Sequence, residues 1–254
     1  MKQQELYLIE HFEEIDSTNE YALRNLKSLP DRQVIISDMQ TNGKGRMNRA
    51  WISDKKGNVY LSIVLKPCDK VNKEFPLGGI TQYMSVIACK ILETYGAAAK
   101  IKWPNDVLVD GRKIAGILSQ ASVRGDNFNG LVLGVGINLN LTEQEIAGIN
   151  QPATALNLII SAPVDRDTFI KSLLDRFFEG YDTFLATGFP LIKEDYVSRC
   201  SFLNKRITLK THNSLERVTA LNMRDDGALI IVDDNMREKV VAAGEIVAEI
   251  DDWR

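Results

Sequence analysis

A two-residue turn between two apolar runs is the feature that most constrains the fold of this chain of 254 residues. Asp110-Gly111 separates the apolar residues 107–109 from residues 114–118. An Asp-Gly pair in this setting is typical of a β-hairpin whose two turn residues have positive φ angles. The sequence therefore predicts a pair of antiparallel strands, and the turn sets their register.

The predicted register brings two charged side chains onto one face of the hairpin. Side chains alternate faces along a strand, so Asp106 and Lys113 become diagonal neighbours within reach of each other. Gly116 leaves a gap beside Lys113 where a ligand can lie against the backbone. Taken alone, the hairpin favours a simpler interpretation, an exposed ion pair worth at most about 1 kcal/mol. The predicted pairs are Val109–Arg112, Leu108–Lys113, Val107–Ile114 and Asp106–Ala115.

The periodicity of the sequence divides the chain into two domains. Up to about residue 200, strand-like and helix-like segments are mixed, and we expect a domain over 1–200. Four short alternating segments follow, separated by polar turns, and they predict a small β-barrel over 201–254. In the first domain we expect strands at 5–12, 33–38, 58–66 and 130–141, helices at 17–30, 80–95 and about 165–187, and a loose stretch over 188–203.

Residues 43–51 form a short basic segment that we name the basic loop. Its sequence, GKGRMNRAW, holds three cations and two glycines. Glycine lets backbone N–H groups approach an anion, and arginine matches the geometry of phosphate and carboxylate oxygens. Trp51 offers a flat face for a base. A solvated hairpin loop with incidental charge explains the composition of the segment equally well.

Neither common glycine-rich nucleotide motif is present in the sequence. A P-loop requires glycine where Asp38 stands and Ser or Thr where Gly45 stands. At 134–139, Leu139 occupies the place of the third glycine of a dinucleotide fingerprint. A nucleotide would have to be held in another way.

Composition excludes several classes of protein. The 31 basic and 34 acidic residues give a net charge of −3, so the overall basic footprint of a nucleic-acid-binding protein is missing. Cys68, Cys89, Cys200, His11 and His212 are too scattered to predict a zinc or other metal site, and such cysteines are typical of a cytoplasmic protein. The polar, acidic N-terminus and the lack of long apolar runs predict neither a signal peptide nor a membrane partner.

Four motifs, taken together, resemble the biotin–protein ligase family. They occur in the family's order across nearly the whole chain, and chance matches at four separated sites multiply. The family is similar in its catalytic fold to class II aminoacyl-tRNA synthetases and lipoate ligases. This implies an α+β domain with a mixed sheet and flanking helices, followed by an SH3-like β-barrel. The motifs are Ser17-Thr18-Asn19; Gln40 with the basic loop; Lys102-Trp103-Pro104-Asn105-Asp106 with Arg112-Lys113-Ile114-Ala115-Gly116; and Gly134-Val135-Gly136-Ile137-Asn138.

The resemblance implies an activity and a role for each motif. ATP with Mg²⁺ would activate biotin as biotinyl-5′-AMP, and the biotinyl group would pass to a lysine of a biotin carboxyl carrier protein or domain. Lys113 matches the catalytic lysine, with Arg46 beside it, and Asp106 and Lys102 match polar residues of the phosphate and acceptor region. The other positions expected to contact ligands are Ser17, Thr18, Asn19 and Gln40 at biotin, Gly43, Lys44, Gly45 and Arg49 in the loop, Trp51 and Asn138 at adenine, and Gly116 and Gly136 beside them.

The chain departs from the family pattern in two ways. Lys44 replaces the usual first arginine of the loop and keeps the charge without the planar fork, so Arg46 is the firmer ligand contact. The chain also begins almost at the catalytic domain, so we expect the ligase-only form. Ser17-x-x-Glu20 matches a capping box as well as a ligand motif. The open alternatives are a lipoate–protein ligase, a biotin-responsive DNA-binding regulator, and an inactive carrier-binding module; a homodimer is also open.

The charge of the basic loop leads to one further expectation. Lys44, Arg46 and Arg49 should repel one another until an anion lies between them, and ordering a loop that contains two glycines costs backbone entropy. We therefore expect the loop to be mobile without ligand and ordered with biotin or biotinyl-adenylate.

Overall fold

The computed structural model describes residues 6–67, 78–124 and 127–250, which form a large mixed sheet, a small antiparallel sheet and flanking helices. The strands of the large sheet are β1 (Leu8–Ile15), β2 (Gln33–Gln40), β3 (Val59–Leu65), β4 (Ala99–Lys102), β5 (Asp106–Val109), β6 (Arg112–Arg124) and β7 (Asn127–Ile137). The strand order is β1-β2-β3-β7-β6-β5-β4, in which β1 and β2 are parallel and the other neighbours are antiparallel.

Helices cover both faces of the large sheet. They are α1 (Thr18–Arg24), α2 (Gly78–Thr94), α3 (Glu143–Ala147), α4 (Leu156–Ile160), α5 (Arg166–Thr187) and α6 (Lys193–Arg199), with 3₁₀ turns at Arg46–Asn48 and Phe189–Leu191. On one face, Ala22 and Leu26 from α1 and its C-terminal turn pack on Ile35, Val64 and Val132. On the other face, α2 and α5 form the main apolar core with the opposite side of the same strands.

The predicted hairpin is present, with a correction to its register. Asp110 and Gly111 have φ angles of 49° and 72°, as a two-residue turn of this type requires. The two pairs nearest the turn are as predicted, but beyond them Val107 pairs with Ala115, and Asp106 pairs with Gly116. The extra residue on β6 is Ile114, which is fully buried and whose carbonyl accepts a hydrogen bond from Asn138 N. The bulge thus joins the hairpin to β7.

Several predicted boundaries shift for identifiable reasons. β1 runs from Leu8 to Ile15 and not over 5–12, because an edge strand with exposed positions accommodates the acidic residues 13–14; residue 5 lies outside the described part of the chain. α1 ends at Arg24, six residues before Pro30, and hydrogen-bonded turns follow it. The stretch 188–203 contains α6, which is too short to show a clear helical periodicity in the sequence.

The C-terminal region forms the second sheet. Its strands are β8 (Arg206–Lys210), β9 (Leu215–Met223), β10 (Leu229–Val232), β11 (Glu238–Val241) and β12 (Glu245–Ile250), in the order β11-β10-β9-β8-β12. The last of the four predicted segments is thus two strands, separated by a turn that contains Gly244. The α+β fold class, with a mixed sheet followed by a small β domain, is confirmed.

Two further findings concern the helices and the cysteine thiols. Within the described ranges, none of the helices combines the length and apolar composition that a bilayer crossing requires. Burial raises the pKa of the Cys89 thiol to about 12, so this side chain stays protonated at neutral pH. Cys68 lies outside the described residues.

Candidate active site

Small side chains on the α1 face of the central strands leave space for a cavity. In one row across the sheet, Gly136 of β7 lies between Tyr60 and Gly116; in the next row, Gly134 pairs with Ser62. The opposite face of the same strands carries large buried aliphatic residues that complete the core. The sheet is therefore tightly packed on one face, and small side chains leave space on the other. A cleft of about 780 Å³, including its mouth, lies on this second face.

All three of these glycines are required, because close neighbours leave no room for a Cβ. A Cβ at Gly134 would lie 2.1 Å from Asn19 Oδ1, and a Cβ at Gly136 would lie 2.5 Å from Trp51 Cε2. At Gly116 the nearest atom would be Trp51 Cζ3, at 2.9 Å. The predicted gap beside Lys113 is therefore corrected: the indole of Trp51 fills it and lies across the paired glycines Gly116 and Gly136.

The end of the cavity next to α1 is a hydrogen-bonded cluster that we name the polar floor. It consists of Thr18, Asn19 and Gln40, which line the cavity, and of Ser62, which is fully buried behind them. Gln40 Oε1 accepts from Thr18 N at 2.9 Å, and Ser62 Oγ lies 2.8 Å from Thr18 Oγ1 and 2.5 Å from Asn19 Oδ1. Gln40 and Ser62 come from β2 and β3, and Thr18 and Asn19 come from α1. Gln40 is half-buried and the other three are buried, so the network holds their side chains in place.

Ser17, beside the polar floor, has the capping role that the sequence allowed. It has extended backbone, and its Oγ accepts from Glu20 N at 3.5 Å at the start of α1. Ser17 is buried and also lines the cavity, so capping and ligand contact are compatible in its position. Asp16 accepts from Ser17 N at 2.7 Å and further orders this entry to the helix.

The cations of the basic loop already have partners in the chain. Lys44 Nζ lies 2.8 Å from Glu20 Oε1, and Arg49 donates to both carboxylate oxygens of Glu245 at 2.5 and 2.7 Å. Arg46 donates instead to two neutral acceptors, Asn105 Oδ1 at 3.3 Å and Gly244 O at 3.1 Å. The expectation that these cations repel one another until a ligand arrives is therefore corrected, because internal carboxylates neutralise two of them.

The electrostatics distinguish Arg46 from its neighbours. Burial lowers the pKa of the Arg46 guanidinium, against the raising influence of Glu245 and Asp106. The hydrogen bond to Glu245 raises the pKa of Arg49. Among the described residues Arg46 lines the cavity without an ion pair: its hydrogen-bond acceptors are neutral, and Glu245 and Asp106 act on its charge without contacting it.

Lys113 and Asp106 lie at the junction of the hairpin and the cavity. Lys113 Nζ is 2.7 Å from Asp106 Oδ1 and 5.4 Å from the centroid of the Trp51 ring. The predicted contact between the two charged side chains is thus present despite the shifted register. Lys102, the β4 partner of Asp106, does not line either cavity described here, and its charge instead lowers the pKa of Glu245 together with Arg49 and Arg46.

A second cavity lies on the other side of Trp51. Trp51, Lys113 and Asn138 line it together with the apolar side chains of Ile149 and Ala153. Asn138 Nδ2 donates to Thr154 O at 3.0 Å, which fixes the orientation of the amide. Trp51 Nε1 is buried and has no hydrogen-bond partner among the described residues. The indole therefore separates the two cavities, and its N–H remains available as a hydrogen-bond donor.

The structure brings most of the predicted residues together around these two cavities. Ser17, Thr18, Asn19, Gln40, Lys44, Gly45, Arg46, Arg49, Trp51, Asp106, Lys113, Gly116 and Gly136 line the first, and Asn138 lines the second. Gly43 lines neither; an added Cβ there would meet Ser53 Oγ at 2.3 Å, so its role is close packing of the loop.

The sequence reading missed several contributors. Glu245 lines the cavity from the C-terminal domain, Asn105 holds Arg46, and Ser62 completes the polar floor. Asn105 lies within the motif at residues 102–106, which the sequence had already indicated. For Glu245, which lies 196 positions beyond Arg49, no local pattern carried a signal.

Comparisons with known proteins agree with this arrangement. A profile of the biotin/lipoate A/B protein ligase family matches residues 11–138. The chain is 28% identical over 232 residues to the biotin–[acetyl-CoA-carboxylase] ligase of Paracoccus denitrificans, covering 90% of this chain and 95% of that one. It is also 29% identical over 219 residues to the bifunctional ligase/repressor BirA of Bacillus subtilis, covering 84% of this chain but only 66% of that relative.

Solved structures extend the likeness to the whole fold. The biotin protein ligase from Aquifex aeolicus in complex with biotin and ATP has a TM-score of 0.77 and is 25% identical, covering 94% of this chain and 97% of that one. The likeness includes the C-terminal β domain as well as the large sheet. Because the family profile covers half of the chain and includes the polar floor, the basic loop and the hairpin, the chain belongs to the biotin/lipoate A/B protein ligase family.

Proposed function

We propose that this protein is a biotin–protein ligase that forms biotinyl-5′-AMP from biotin and ATP and transfers the biotinyl group to a lysine of a biotin carboxyl carrier protein or domain. One observation carries the proposal: Lys113 lines both the cavity that contains the polar floor and the Trp51–Asn138 cavity, and Arg46 lines the first of them. A cationic centre flanked by two differently shaped compartments suits the joining of two substrates that are both anionic at their reacting ends.

The polar floor would hold the ring system of biotin. The ureido group of biotin carries two N–H donors and a carbonyl acceptor, and the floor offers the hydroxyl group of Thr18 and the amide group of Asn19, each at hydrogen-bonding distance from Ser62 Oγ. Gln40 is already engaged by Thr18 N and donates to Ser53 Oγ at 3.1 Å, so we assign it to orienting Thr18. Gly134 leaves the room that Asn19 needs.

Trp51 and Asn138 would receive the adenine. The indole offers a flat apolar face, and Asn138 offers an amide held by Thr154. Apolar walls from Ile149 and Ala153 make this second cavity suitable for a planar base. The indole currently lies on Gly116 and Gly136, and its unpartnered N–H makes a small change in ring position inexpensive.

The chemistry would occur at Lys113 and Arg46. A carboxylate oxygen of biotin attacks the α-phosphorus of ATP, the bond from this phosphorus to the bridging oxygen breaks, and pyrophosphate leaves. Two anions must meet, and positioned cations stabilise the charge that develops in the transition state. Lys113 is held in place by Asp106, and Arg46 by Asn105 and Gly244 O.

Mg²⁺ would neutralise the remaining phosphates of ATP. Mg²⁺ is commonly bound through one or two carboxylates together with substrate phosphates. Within the described ranges, no group of three or more His, Cys, Asp and Glu residues forms a cage for an ion, while Asp106 faces the cavity. The residues present thus fit an ion that arrives with the nucleotide.

In the transfer step, Asp106 is the candidate to orient the attacking amine or accept its proton. Its carboxylate lies at the cavity and is already hydrogen-bonded to one ammonium group, that of Lys113. The lysine amine attacks the carbonyl carbon of the adenylate, AMP leaves with the bonding electron pair, and the amine loses a proton. Lys102, outside the cavity lining, is assigned to the approach of the carrier protein.

The test is ATP-dependent labelling of a purified biotin carboxyl carrier domain, followed by intact-protein mass spectrometry. We expect a mass increase equal to one biotinyl group, with biotin and not with lipoate or octanoate. Faster modification by lipoate would favour the lipoate–protein ligase alternative. Retained biotin binding and adenylate formation without any transfer to the carrier would favour the regulator alternative, and loss of all three activities would favour an inactive module.

A further inference from the structure

The C-terminal β domain reaches the basic loop at the start of β12. Both carboxylate oxygens of Glu245 accept hydrogen bonds from the guanidinium of Arg49, and the carbonyl of the preceding residue, Gly244, accepts one from Arg46. Two adjacent residues of one domain thus hold two cations of the other. A bidentate arginine–carboxylate pair restricts orientation as well as distance.

Gly244 and Glu245 are themselves held firmly against the catalytic domain. A Cβ at Gly244 would lie 2.8 Å from Lys210 O and 3.3 Å from the ring of Trp103, so the backbone at this turn packs directly on a buried tryptophan. Glu245 pairs with Lys210 in the β8–β12 ladder. The two residues therefore form a firm support for the basic loop.

The pairing leaves an uneven distribution of charge in the loop. Lys44 is neutralised by Glu20 from α1, and Arg49 is neutralised by Glu245 from the β domain. Arg46, between them, is held by neutral acceptors only. The loop is thus fastened at its first and last cations, while the cation in the middle remains available for an anionic ligand.

We propose that Glu245 is a positioning residue: it holds the basic loop closed over the cavity before any substrate binds, by fixing Arg49 directly and Arg46 through Gly244. The effect on catalysis rests on the proposed function. When a protein spends only a fraction of its time in the competent conformation, its apparent affinity falls by that fraction, whereas a saturating ligand restores closure. Loss of Glu245 should therefore raise the KM for ATP and leave kcat nearly unchanged.

The size of the effect follows from the exposure of the pair. The Arg49 side chain is 58% exposed and that of Glu245 is 19% exposed. Solvent-screened pairs of this kind change an equilibrium by about two- to fivefold. We expect changes of that size both in loop opening and in the KM for ATP.

The first experiment needs no substrate and uses the full chain. Trypsin is added to the ligand-free protein, and mass spectrometry follows the peptides that end at Lys44 or Arg46. We expect Glu245→Gln and Arg49→Gln each to increase the rate of cleavage in the loop by about two- to fivefold, and the charge swap Arg49→Glu/Glu245→Arg to return it towards that of the wild type. Glu216→Gln is the matched control, because Glu216 pairs with Lys239 in the same β domain and lies outside the cavity lining; its cleavage rate should equal that of the wild type.

The second experiment measures pyrophosphate release by the same variants. A raised KM for ATP with kcat within about twofold of the wild type, restored in the charge swap, supports positioning. Arg49→Gln keeps the proposal testable if Glu245→Gln does not fold, because it breaks the pair from the loop side. Unchanged cleavage in both single variants, or a charge swap cleaved as fast as Arg49→Glu alone, overturns the proposal. If the wild type releases no pyrophosphate, the proposed function fails while the proteolysis still decides the positioning role.

Discussion

The polar floor and the basic loop both line the same cavity but are held by different means. The floor is a network of uncharged side chains on α1, β2 and β3, of which Gln40 is half-buried and the others are buried. The loop is held by partly exposed ion pairs, one of them to a domain 196 positions further along the chain. The first arrangement favours selective recognition by a rigid surface, and the second favours reversible closure, because exposed pairs break and re-form at low cost.

The largest effect is expected at Lys113, which lines the same cavity as the floor and the loop. Lys113→Ala should reduce biotin-dependent pyrophosphate release by about 10²–10³-fold, because it removes one preorganised charge from the reacting atoms. Circular dichroism and thermal unfolding serve to establish that the variant folds, and Lys171→Ala, an exposed i,i+4 pair on α5, is the matched control. Near-normal release by folded Lys113→Ala would remove this lysine from the mechanism.

A substitution in the floor tests its rigidity. An alanine Cβ at Gly134 would lie 2.1 Å from Asn19 Oδ1, so Gly134→Ala must displace Asn19 from its network. We expect a loss of about 1–3 kcal/mol in the free energy of unfolding and a raised KM for biotin. Gly79→Ala is the control, since its Cβ would make only an ordinary contact of 3.5 Å with Phe184. A stable Gly134→Ala protein with unchanged biotin affinity would show that the floor is adaptable.

The contrast between floor and loop also explains what the sequence could predict. The hairpin, the capping serine and the grouping of motifs around one site depend on local turn chemistry and on the ordered resemblance. The bulge at Ile114 depends on a hydrogen bond to Asn138, and the filling of the space beside Gly116 depends on Trp51 packing across the sheet.

The role of Glu245 could likewise not be predicted from sequence patterns. An exposed-looking acidic residue in an alternating strand segment carries no sign of the arginine that it will meet after folding. The expectation that only a bound anion would offset the charges of the loop cations was wrong for the same reason, because the counter-charges Glu20 and Glu245 come from other elements. Interactions between residues distant in the sequence require the fold to be known.

A smaller effect is expected from pH on the loop pair. The hydrogen bond from Arg49 holds the pKa of Glu245 below its ordinary value of 4.5. A carboxyl group whose pKa is depressed in the folded state stabilises the protein above its unfolded pKa and loses that contribution as the pH falls through the folded value. The difference in unfolding free energy between wild type and Glu245→Gln, at most about 1 kcal/mol at neutral pH, should therefore shrink as the pH falls below 4.5. A difference that persists in acid would contradict the ionic origin.

The smallest effect is expected at Lys44. Lys44→Arg restores the usual arginine of the family's loop while keeping the charge that pairs with Glu20. Since Arg46, and not Lys44, is the loop cation free of a carboxylate partner within the described ranges, pyrophosphate release should change by less than about twofold. A large gain in rate would mean that the first cation of the loop contacts the substrate and not only Glu20.

The central claim is that this cavity joins biotin to AMP, and isotope exchange between pyrophosphate and ATP tests it without a carrier protein. Labelled pyrophosphate enters ATP only if a mixed anhydride forms reversibly at the site. We predict exchange that requires biotin and Mg²⁺, that lipoate and octanoate do not support, and that Lys113→Ala abolishes. Exchange that is independent of biotin, or that proceeds faster with lipoate, would contradict the assignment of the polar floor to biotin and of the cationic centre to its carboxylate.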